Sequence, residues 1–389
     1  MKLGIDASNL RAGGGVTHLI EVLRAADPLS SGFSQVIVWS GQATLNRVEE
    51  RPWLVKSHHP LLDKSLPHRI FWQRFTLSKL ARESGCDVLL VPGGAYTCDF
   101  RPAVTMSQNL LPFEWRELRR YGWSWMAFKL FILRSVQSRS FRRADGLILL
   151  TRYARDVVTR RLKNIDGKTA IIPHGINGRF GHSPREQKPI SQYSIATPFR
   201  ILYVSIVDMY KHQWHVVEAV AELRRSGLPV VLELVGPAYS SALVRLRKML
   251  KRVDPKGEFV QYSGAVHYDE LHAKYAGADL FVFASTCENM PNILLEGMVS
   301  GLPIACSDRG PMPEVLEDGG VYFNPEDVDS IAKAVEQIIQ DSVLRQRIAR
   351  RAKELSEHYS WKRCAAETCK FLRDCSIDSQ DKLASNTSL

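Results

Sequence analysis

The sequence lacks the features of a membrane-spanning, disulfide-bonded or zinc-binding protein. No apolar run approaches the roughly 20 residues that a bilayer-spanning helix needs. The chain passes from Met1 directly into a strand-like pattern, which leaves no room for a signal peptide. Its seven cysteines are scattered without Cys-x-x-Cys spacing, which argues against a disulfide framework and against a zinc site. These absences predict a cytoplasmic protein with reduced thiols.

Negative charge is scarce in the first half of the chain. Residues 1–193 hold 29 Lys and Arg against 15 Asp and Glu, whereas the remaining residues hold 23 against 26. The formal net charge of +11 therefore comes from the first half. This imbalance predicts an anionic partner for that half, such as a phospholipid headgroup, a lipid-linked phosphate or nucleic acid.

Residues 119–143 contain no acidic residue and mix basic with large apolar side chains. The basic residues are Arg119, Arg120, Lys129, Arg134, Arg139, Arg142 and Arg143. A basic amphipathic segment with Trp and Phe can lie in a membrane interface, so one interpretation is peripheral contact with the inner face of the cytoplasmic membrane. The other is a core-packing helix with a basic polar face. Nucleic acid is disfavoured because no nucleic-acid motif accompanies the charge.

The length of 389 residues exceeds one ordinary hydrophobic core and predicts two domains. Short apolar strands alternate with helix-like segments in both halves, as in α/β folds with parallel sheets. We expect a first domain over residues 1–183, a polar, proline-containing linker over 184–198 and a second domain over 199–358. A terminal helix is expected over 359–375 and a disordered polar tail over 376–389.

The most informative stretch follows an apolar strand over residues 278–284. Glu288 lies in the turn after the strand, and Glu296 lies in the predicted helix over 291–300. Pro291 fits the first helical turn, where free backbone N–H groups favour an anion such as a phosphate. Carboxylates beside such a site can accept hydrogen bonds from sugar hydroxyls. The simpler alternative is that Glu288 only interacts with the helix dipole and Glu296 is a solvated helix residue.

This stretch resembles the retaining glycosyltransferases of the GT-B superfamily known as group 1, or family 4. The resemblance rests on Glu-x7-Glu, on Pro-Asn after the first Glu, on Gly-Leu-Pro-Ile from Gly301 and on Gly-Pro-x-Pro-Glu over residues 310–314. It covers most of the second half and, more weakly, the first. It implies an α/β, GT-B fold: two Rossmann-like domains with parallel sheets facing across a cleft, and last helices that cross back to the first domain.

The resemblance also implies which residues of the second domain bind a nucleotide-diphosphate sugar. Glu288 would contact the donor sugar and Glu296 the ribose of the nucleotide. The backbone around Asn292 and Ile293 would hold the diphosphate. Val266 lies in a turn that would hold the base through backbone groups.

The strand over residues 199–204 carries a second candidate phosphate site. Lys211 enters a helix just after the strand's end, where a cation suits a phosphate, and the family has a lysine here as well. Ser205 and Ile206 replace the family's Gly-Arg, so one expected phosphate ligand is missing. The alternative for Lys211 is a solvated lysine at a helix start.

In the first domain, candidate residues lie in three turns that follow predicted strands. Gly14 and Gly15 belong to a glycine cluster that does not match the dinucleotide pattern Gly-x-Gly-x-x-Gly, and the resemblance places them near the donor phosphates and the acceptor. Gln108 lies where the family often has a His-Asp pair; its amide can donate hydrogen bonds but cannot act as a base. His174, in a turn similar to the family's, is interpreted as a structural histidine.

The sequence therefore predicts a retaining hexosyltransferase with Glu288, Lys211 and Gln108 as catalytic candidates. Its donor is a nucleotide-diphosphate sugar, with mannose as one candidate, and its acceptor is a glycan or a lipid-linked molecule of surface polysaccharide biosynthesis. No cofactor, metal or nucleic acid is expected, because Asp-x-Asp at 327–329 begins a helix and the family needs no bound metal. The alternatives are a nucleotide-sugar epimerase or hydrolase, and a catalytically silent sugar-nucleotide-binding protein.

Overall fold

The computed structural model describes residues 1–387, with the side chains of residues 1–379 and of Asp381. The chain forms two compact units. Unit 1 contains Met1–Phe113, Trp123–Gly175 and the chain from Ser360 onward, and unit 2 contains Glu114–Gly122 and Ile176–Tyr359. The chain thus leaves unit 1 after Gly175, before the predicted domain end at residue 183.

Each unit is built on one parallel sheet. The strands of unit 1 are β1 (Lys2–Asp6), β2 (Gln35–Ser40), β3 (Leu54–His58), β4 (Val88–Val91), β5 (Ala103–Met106), β6 (Gly146–Leu149) and β7 (Lys168–Ile171). Those of unit 2 are β8 (Phe199–Val204), β9 (Val230–Val235), β10 (Val260–Gly264), β11 (Leu280–Phe283), β12 (Ile304–Ser307) and β13 (Val321–Phe323). Their orders are β3-β2-β1-β4-β5-β6-β7 and β10-β9-β8-β11-β12-β13. The predicted α/β fold with two parallel sheets is confirmed.

Helices connect the strands. In chain order they are α1 (Gly14–Ala25), α2 (Gln42–Leu45), α3 (Leu66–Phe75), α4 (Leu77–Glu83), α5 (Trp115–Leu118), α6 (Trp125–Arg143), α7 (Arg152–Leu162), α8 (Gln213–Arg225), α9 (Ser240–Val253), α10 (Leu271–Gly277), α11 (Asn292–Val299), α12 (Met312–Leu316), α13 (Val328–Gln340), α14 (Ser342–Ser356) and α15 (Trp361–Thr387). Several starts are capped by side chains, as Ser124 caps α6 and Asp341 caps α14.

The central strands are apolar at consecutive positions because helices cover both faces of a parallel sheet. In β11, Leu280, Phe281, Val282 and Phe283 are each 0% exposed. Such a strand brings the residues after it to the carboxyl edge of the sheet, where open α/β sheets bind ligands. β8 lies beside β11, so the loops after these two strands leave the same edge.

Several boundaries differ from the predictions. Residues 66–83 form two helices, α3 and α4, which are separated at Thr76. The strands β3 and β13 and the helix α9 were not predicted.

The predicted linker is part of the fold, as is the predicted tail up to Thr387; residues 388–389 of that tail lie outside the described residues. Residues 184–198 lie in unit 2, where the Tyr193 hydroxyl donates to Asp279 at 3.3 Å and Arg345 donates to the carbonyl of Lys188. The helix α15 continues to Thr387, so the chain expected to be disordered from residue 376 is helical to that point. No helix among the described residues is both long and apolar enough to cross a bilayer.

Candidate functional site

The helix α11 begins with free backbone N–H groups at the carboxyl edge of the sheet. Pro291 precedes it and offers no side-chain cap. Within residues 1–387, the N–H groups of Ile293 and Leu294 have no hydrogen-bond acceptor, whereas that of Asn292 donates to the Met290 carbonyl at 2.9 Å. Free N–H groups and the helix dipole both attract negative charge, so this helix start is suited to an anion.

Lys211 and Glu288 form an ion pair between the loops after β8 and β11. The Lys211 ammonium donates to Glu288 Oε1. The side chains are 4% and 15% exposed, respectively. The Lys211 Nζ atom also lies 5.0 Å from the centre of the Tyr210 ring and 5.1 Å from that of Phe283. The site therefore holds one cation and one carboxylate away from bulk water, and the alternative of a solvated Lys211 is wrong.

The loop after β8 packs closely against Gly236, which follows β9. A Cβ atom at Gly236 would lie 2.1 Å from the Ser205 carbonyl oxygen, so a side chain cannot be accommodated there. The Ser205 side chain is buried, and its hydroxyl has no hydrogen-bond partner among the described residues. His212 adopts a left-handed conformation, with φ of 52°, directly before α8. The loop thus fixes Lys211 and leaves one buried hydroxyl available.

Glu296 is a buried carboxyl group, not the solvated helix residue of the simpler interpretation. It is 6% exposed, and its Oε2 atom accepts a hydrogen bond from the Tyr275 hydroxyl at 2.9 Å. Burial raises the pKa of Glu296 to about 7, although the Tyr275 hydrogen bond and the charge of Arg179 act in the opposite direction. Near neutral pH this carboxyl group can therefore change its protonation state when a ligand binds.

Val266 lies in the turn after β10 and is partly buried. The next residues of that turn lie against Arg179, whose guanidinium is 4.4 Å from the centre of the Tyr268 ring and pairs with Asp269. Sequence reasoning missed Arg179 and Tyr275. Arg179 follows the turn that contains His174 closely, but neither residue has a spacing that identifies it.

Three predicted residues lie together in unit 1. A Cβ atom at Gly15 would lie 2.8 Å from Gln108 Oε1, so the glycine permits the close approach of that amide. A Cβ at Gly14 would meet nothing within 4 Å, and Gly13 has a φ of 74°. The glycine turn therefore has open space at Gly14, whereas Gly15 packs against the amide of Gln108.

His174 is buried in unit 1 and packs against His18, with ring centres 4.6 Å apart. Burial lowers the pKa of His18 well below its usual value, and the charge of His174 acts in the same direction. Trp361 of α15 lies 5.7 Å from the His174 ring. This aromatic packing fits the structural interpretation of His174.

Unit 2 brings together most of the predicted binding residues. They are Ser205, Lys211, Val266, Glu288, Asn292, Ile293 and Glu296, while Gly14, Gly15 and Gln108 lie in unit 1. Among the described residues, no group of three or more His, Cys, Asp or Glu could hold a metal ion. Asp327, of the Asp-x-Asp pattern, caps α13 by accepting from the Ser330 N–H at 3.3 Å.

Comparisons with known proteins match this architecture. Residues 185–355 match the family described as Glycosyl transferases group 1. O-antigen chain mannosyltransferase B of Escherichia coli is 30% identical over 190 residues, which are 48% of this chain and 49% of that protein. The chain thus spans about half the length of this curated relative.

Solved structures share the fold over nearly the whole chain. Sucrose-phosphate synthase from Thermosynechococcus elongatus superimposes with a TM-score of 0.73 and 17% identity, covering 96% of this chain and 98% of its own. The Anabaena protein HepE, in complex with UDP and glucose, has a TM-score of 0.64 and 18% identity and covers 100% of both chains. At these identities the similarity shows the GT-B fold alone.

Proposed function

We propose that this chain, whose residues 185–355 match the family Glycosyl transferases group 1, moves a hexose from a nucleotide-diphosphate sugar to a glycan or a lipid-linked acceptor, with retention of anomeric configuration. The observation that carries the proposal is the buried Lys211–Glu288 pair beside the free helix start of α11. This arrangement offers a cation and N–H donors to a diphosphate and a carboxylate to a sugar. The mannosyltransferase relative favours mannose and surface polysaccharide biosynthesis.

Each part of the nucleotide-sugar donor has a binding partner in the proposed complex. The diphosphate lies against Lys211 and the free N–H groups of Ile293 and Leu294, which stabilise the charge that develops on the leaving group. The free hydroxyl of Ser205 donates to the same diphosphate, in place of the family's missing arginine. Glu296 accepts hydrogen bonds from the ribose hydroxyls.

The remaining groups receive the sugar, the base and the acceptor. Glu288 binds hydroxyl groups of the donor sugar, and the turn at Val266 holds the base. The acceptor hydroxyl approaches the glycine turn of Gly14 and Gly15, where the Gln108 amide binds a sugar oxygen. Because an amide cannot take a proton, the acceptor proton passes to the departing phosphate oxygen as the new glycosidic bond forms.

Thermal unfolding with nucleotides tests the donor site. We expect one of UDP, GDP or ADP to raise the midpoint of wild-type unfolding by several degrees, since a ligand at about a hundred times its dissociation constant adds about 2.7 kcal/mol. Glu296→Ala should lose this shift, because the ribose loses its acceptor. Glu336→Ala, at an exposed position of α13, is the matched control and should keep it.

Thermal unfolding and a separate assay of donor turnover together distinguish the alternatives. No shift with any nucleotide would contradict the proposal. Donor consumption without an acceptor would indicate the epimerase or hydrolase, and nucleotide binding without turnover would indicate a silent binding protein.

The proposal places unit 1 on the inner face of the cytoplasmic membrane through an aromatic surface. Of the 18 exposed large hydrophobic residues in the part of the chain whose side chains are described, ten lie on α3 and on residues 123–136: Leu66, Ile70, Phe71, Phe75, Trp123, Trp125, Phe128, Phe131, Ile132 and Val136. Arg74 of α3 and Arg143 of α6 both bind Asp99, at 2.8 and 3.3 Å, so the two helices end beside each other.

The basic groups available to lipids are a subset of those that the sequence suggested. Arg120 pairs with Glu117 and Glu326 in unit 2, and Arg143 pairs with Asp99. Within the described chain, no ion pair involves Lys129, Arg134, Arg139 or Arg142 of α6. Exposed aromatic rings beside unpaired cations fit an anionic lipid interface.

Flotation with vesicles tests this surface. We expect Trp125→Ala/Phe128→Ala/Phe131→Ala to lower binding to vesicles with anionic lipids by roughly tenfold or more, because each ring buries apolar area in the interface. The control Ile195→Ala/Val343→Ala removes exposed apolar residues of unit 2 and should bind normally. Equal flotation of both variants would disprove the membrane contact.

A further inference from the structure

The residues Glu114–Gly122, here called the inserted segment, pack in unit 2 although the chain before and after them belongs to unit 1. The segment consists of α5 and a short 3-10 helix over Arg119–Tyr121. Three of its side chains are buried: Glu117, Leu118 and Tyr121. Two of these, Glu117 and Tyr121, bind the loops that hold Lys211 and Glu288.

Glu117 holds the loop after β11. Its side chain is 5% exposed, and its Oε2 atom accepts a hydrogen bond from the Thr286 hydroxyl at 2.6 Å. The backbone N–H of Thr286 donates to the Tyr210 carbonyl at 2.9 Å. Thr286 therefore joins the two loops of the donor site just before Glu288, and Glu117 fixes its side chain.

Tyr121 holds the loop after β8. Its hydroxyl donates to Asp208 Oδ1 at 2.8 Å, and its ring lies 5.8 Å from that of Tyr239. The Asp208 carbonyl accepts from the Lys211 N–H at 3.0 Å. The position of Lys211 in the loop thus depends on Asp208, and the hydrogen bond from Tyr121 of the inserted segment fixes the Asp208 side chain.

Two arginines anchor the inserted segment itself. Arg120 donates to Glu117 Oε2 at 2.6 Å and to Glu326 Oε1 at 2.7 Å. Arg116 pairs with the second oxygen of Glu326. Charge-assisted hydrogen bonds of this kind are stronger than neutral ones and impose geometry, so Glu117 cannot rotate away without breaking several of them.

We propose that Glu117 and Tyr121 are positioning residues for the donor diphosphate: they set the distance between Lys211 and the start of α11 by fixing both loops. The inference rests on the proposed function, and it adds residues that touch neither donor nor acceptor. A displacement of about 1 Å at a reacting group can cost about 100-fold in rate, so two hydrogen bonds remote from the substrate have measurable effects.

The test compares two substitutions at one position. Thr286→Val removes the hydroxyl that donates a hydrogen bond to Glu117 and keeps the shape of the side chain. We expect it to raise the dissociation constant of the nucleoside diphosphate about tenfold, measured by calorimetry well below the unfolding temperature. Thr286→Ser keeps the hydroxyl and should restore wild-type affinity. Tyr121→Phe should also weaken binding of the nucleoside diphosphate, because Asp208 loses its hydrogen bond from the Tyr121 hydroxyl.

A matched tyrosine provides the control. The Tyr322 hydroxyl donates to the Glu317 carbonyl at 2.6 Å on the edge strand β13, so Tyr322→Phe removes a hydrogen bond in unit 2 away from the two loops. It should leave nucleotide affinity unchanged. If the wild type binds a diphosphate and Thr286→Val binds it equally well, the positioning role is wrong while the proposed function stands. If the wild type binds none, both are wrong.

Discussion

The Lys211→Ala variant is expected to transfer sugar about 10²- to 10³-fold more slowly than the wild type, as when one donor to a developing oxyanion is removed. Lys211 is the buried cation of the donor site, and its ammonium faces Glu288 at the carboxyl edge of the sheet. The charge on the diphosphate grows as the sugar leaves, so the loss should appear mainly in kcat. Steady-state kinetics with the identified donor measures it.

The same substitution also leaves Glu288 buried without its partner, which can cost about 3–5 kcal/mol of stability. A second variant separates the two effects. Lys211→Met/Glu288→Gln removes both charges, so its unfolding midpoint should return toward the wild-type value while its activity stays low. Lys274→Ala breaks another Lys–Glu pair of unit 2, to Glu233 at 2.6 Å and more exposed, and should keep activity. Activity of Lys211→Met/Glu288→Gln close to wild type would show that the pair is structural.

Nucleotide affinity is expected to rise with pH through neutrality because of Glu296. Its buried carboxyl group has a pKa of about 7. In the proposed complex the carboxylate accepts stronger, charge-assisted hydrogen bonds from the ribose hydroxyls than the protonated acid does. Below pH 7 the logarithm of the association constant should therefore increase by up to about one for each pH unit, and above pH 8 it should level off.

Glu296→Gln is the reference for this pH profile, since the ligand's own phosphate titration affects both proteins equally. The variant should bind at least about tenfold more weakly at pH 8 and show no pH dependence beyond that of the phosphate. Calorimetry between pH 6 and pH 8.5 measures both curves. Parallel curves would exclude Glu296 as the ribose acceptor.

The unliganded protein should respond to pH in the opposite direction. The folded-state pKa of Glu296 lies above the usual value of 4.5, so the stability that its protonated form contributes is complete below pH 4.5 and is lost as pH rises through 7. The loss is on the order of 3 kcal/mol. The unfolding midpoint of Glu296→Gln should therefore fall less than that of the wild type between pH 5 and pH 8.

The sequence was sufficient to predict those parts of the candidate site whose residues are close together in the chain. The apolar strand β11, Pro291 and the two glutamates lie within one short stretch, so local pattern predicted the strand, the helix start and the candidate ligands. The predicted strand over residues 199–204 has the observed bounds of β8 because its apolar run is bounded by polar or turn-forming residues.

Contacts between distant residues could not be predicted. Nothing in the sequence pairs Lys211 with Glu288 or Tyr275 with Glu296, because each pair meets only when separate strands and helices pack. The tail was misjudged for the same reason. Its polar composition suggested disorder, yet the Ser376 hydroxyl donates to the Asp87 carbonyl at 3.3 Å and Asp378 pairs with Lys168.

The inserted segment has a consequence for recombining this protein with its relatives. Donor specificity could be exchanged by fusing the first half of one protein to the second half of a relative. Such a fusion assumes that each half of the chain contains one complete domain. Here a swap of Ile176–Tyr359 alone would replace Thr286 and Asp208 but keep the Glu117 and Tyr121 that bind them. A functional hybrid should therefore exchange Glu114–Gly122 together with the second half, as two pieces of one module.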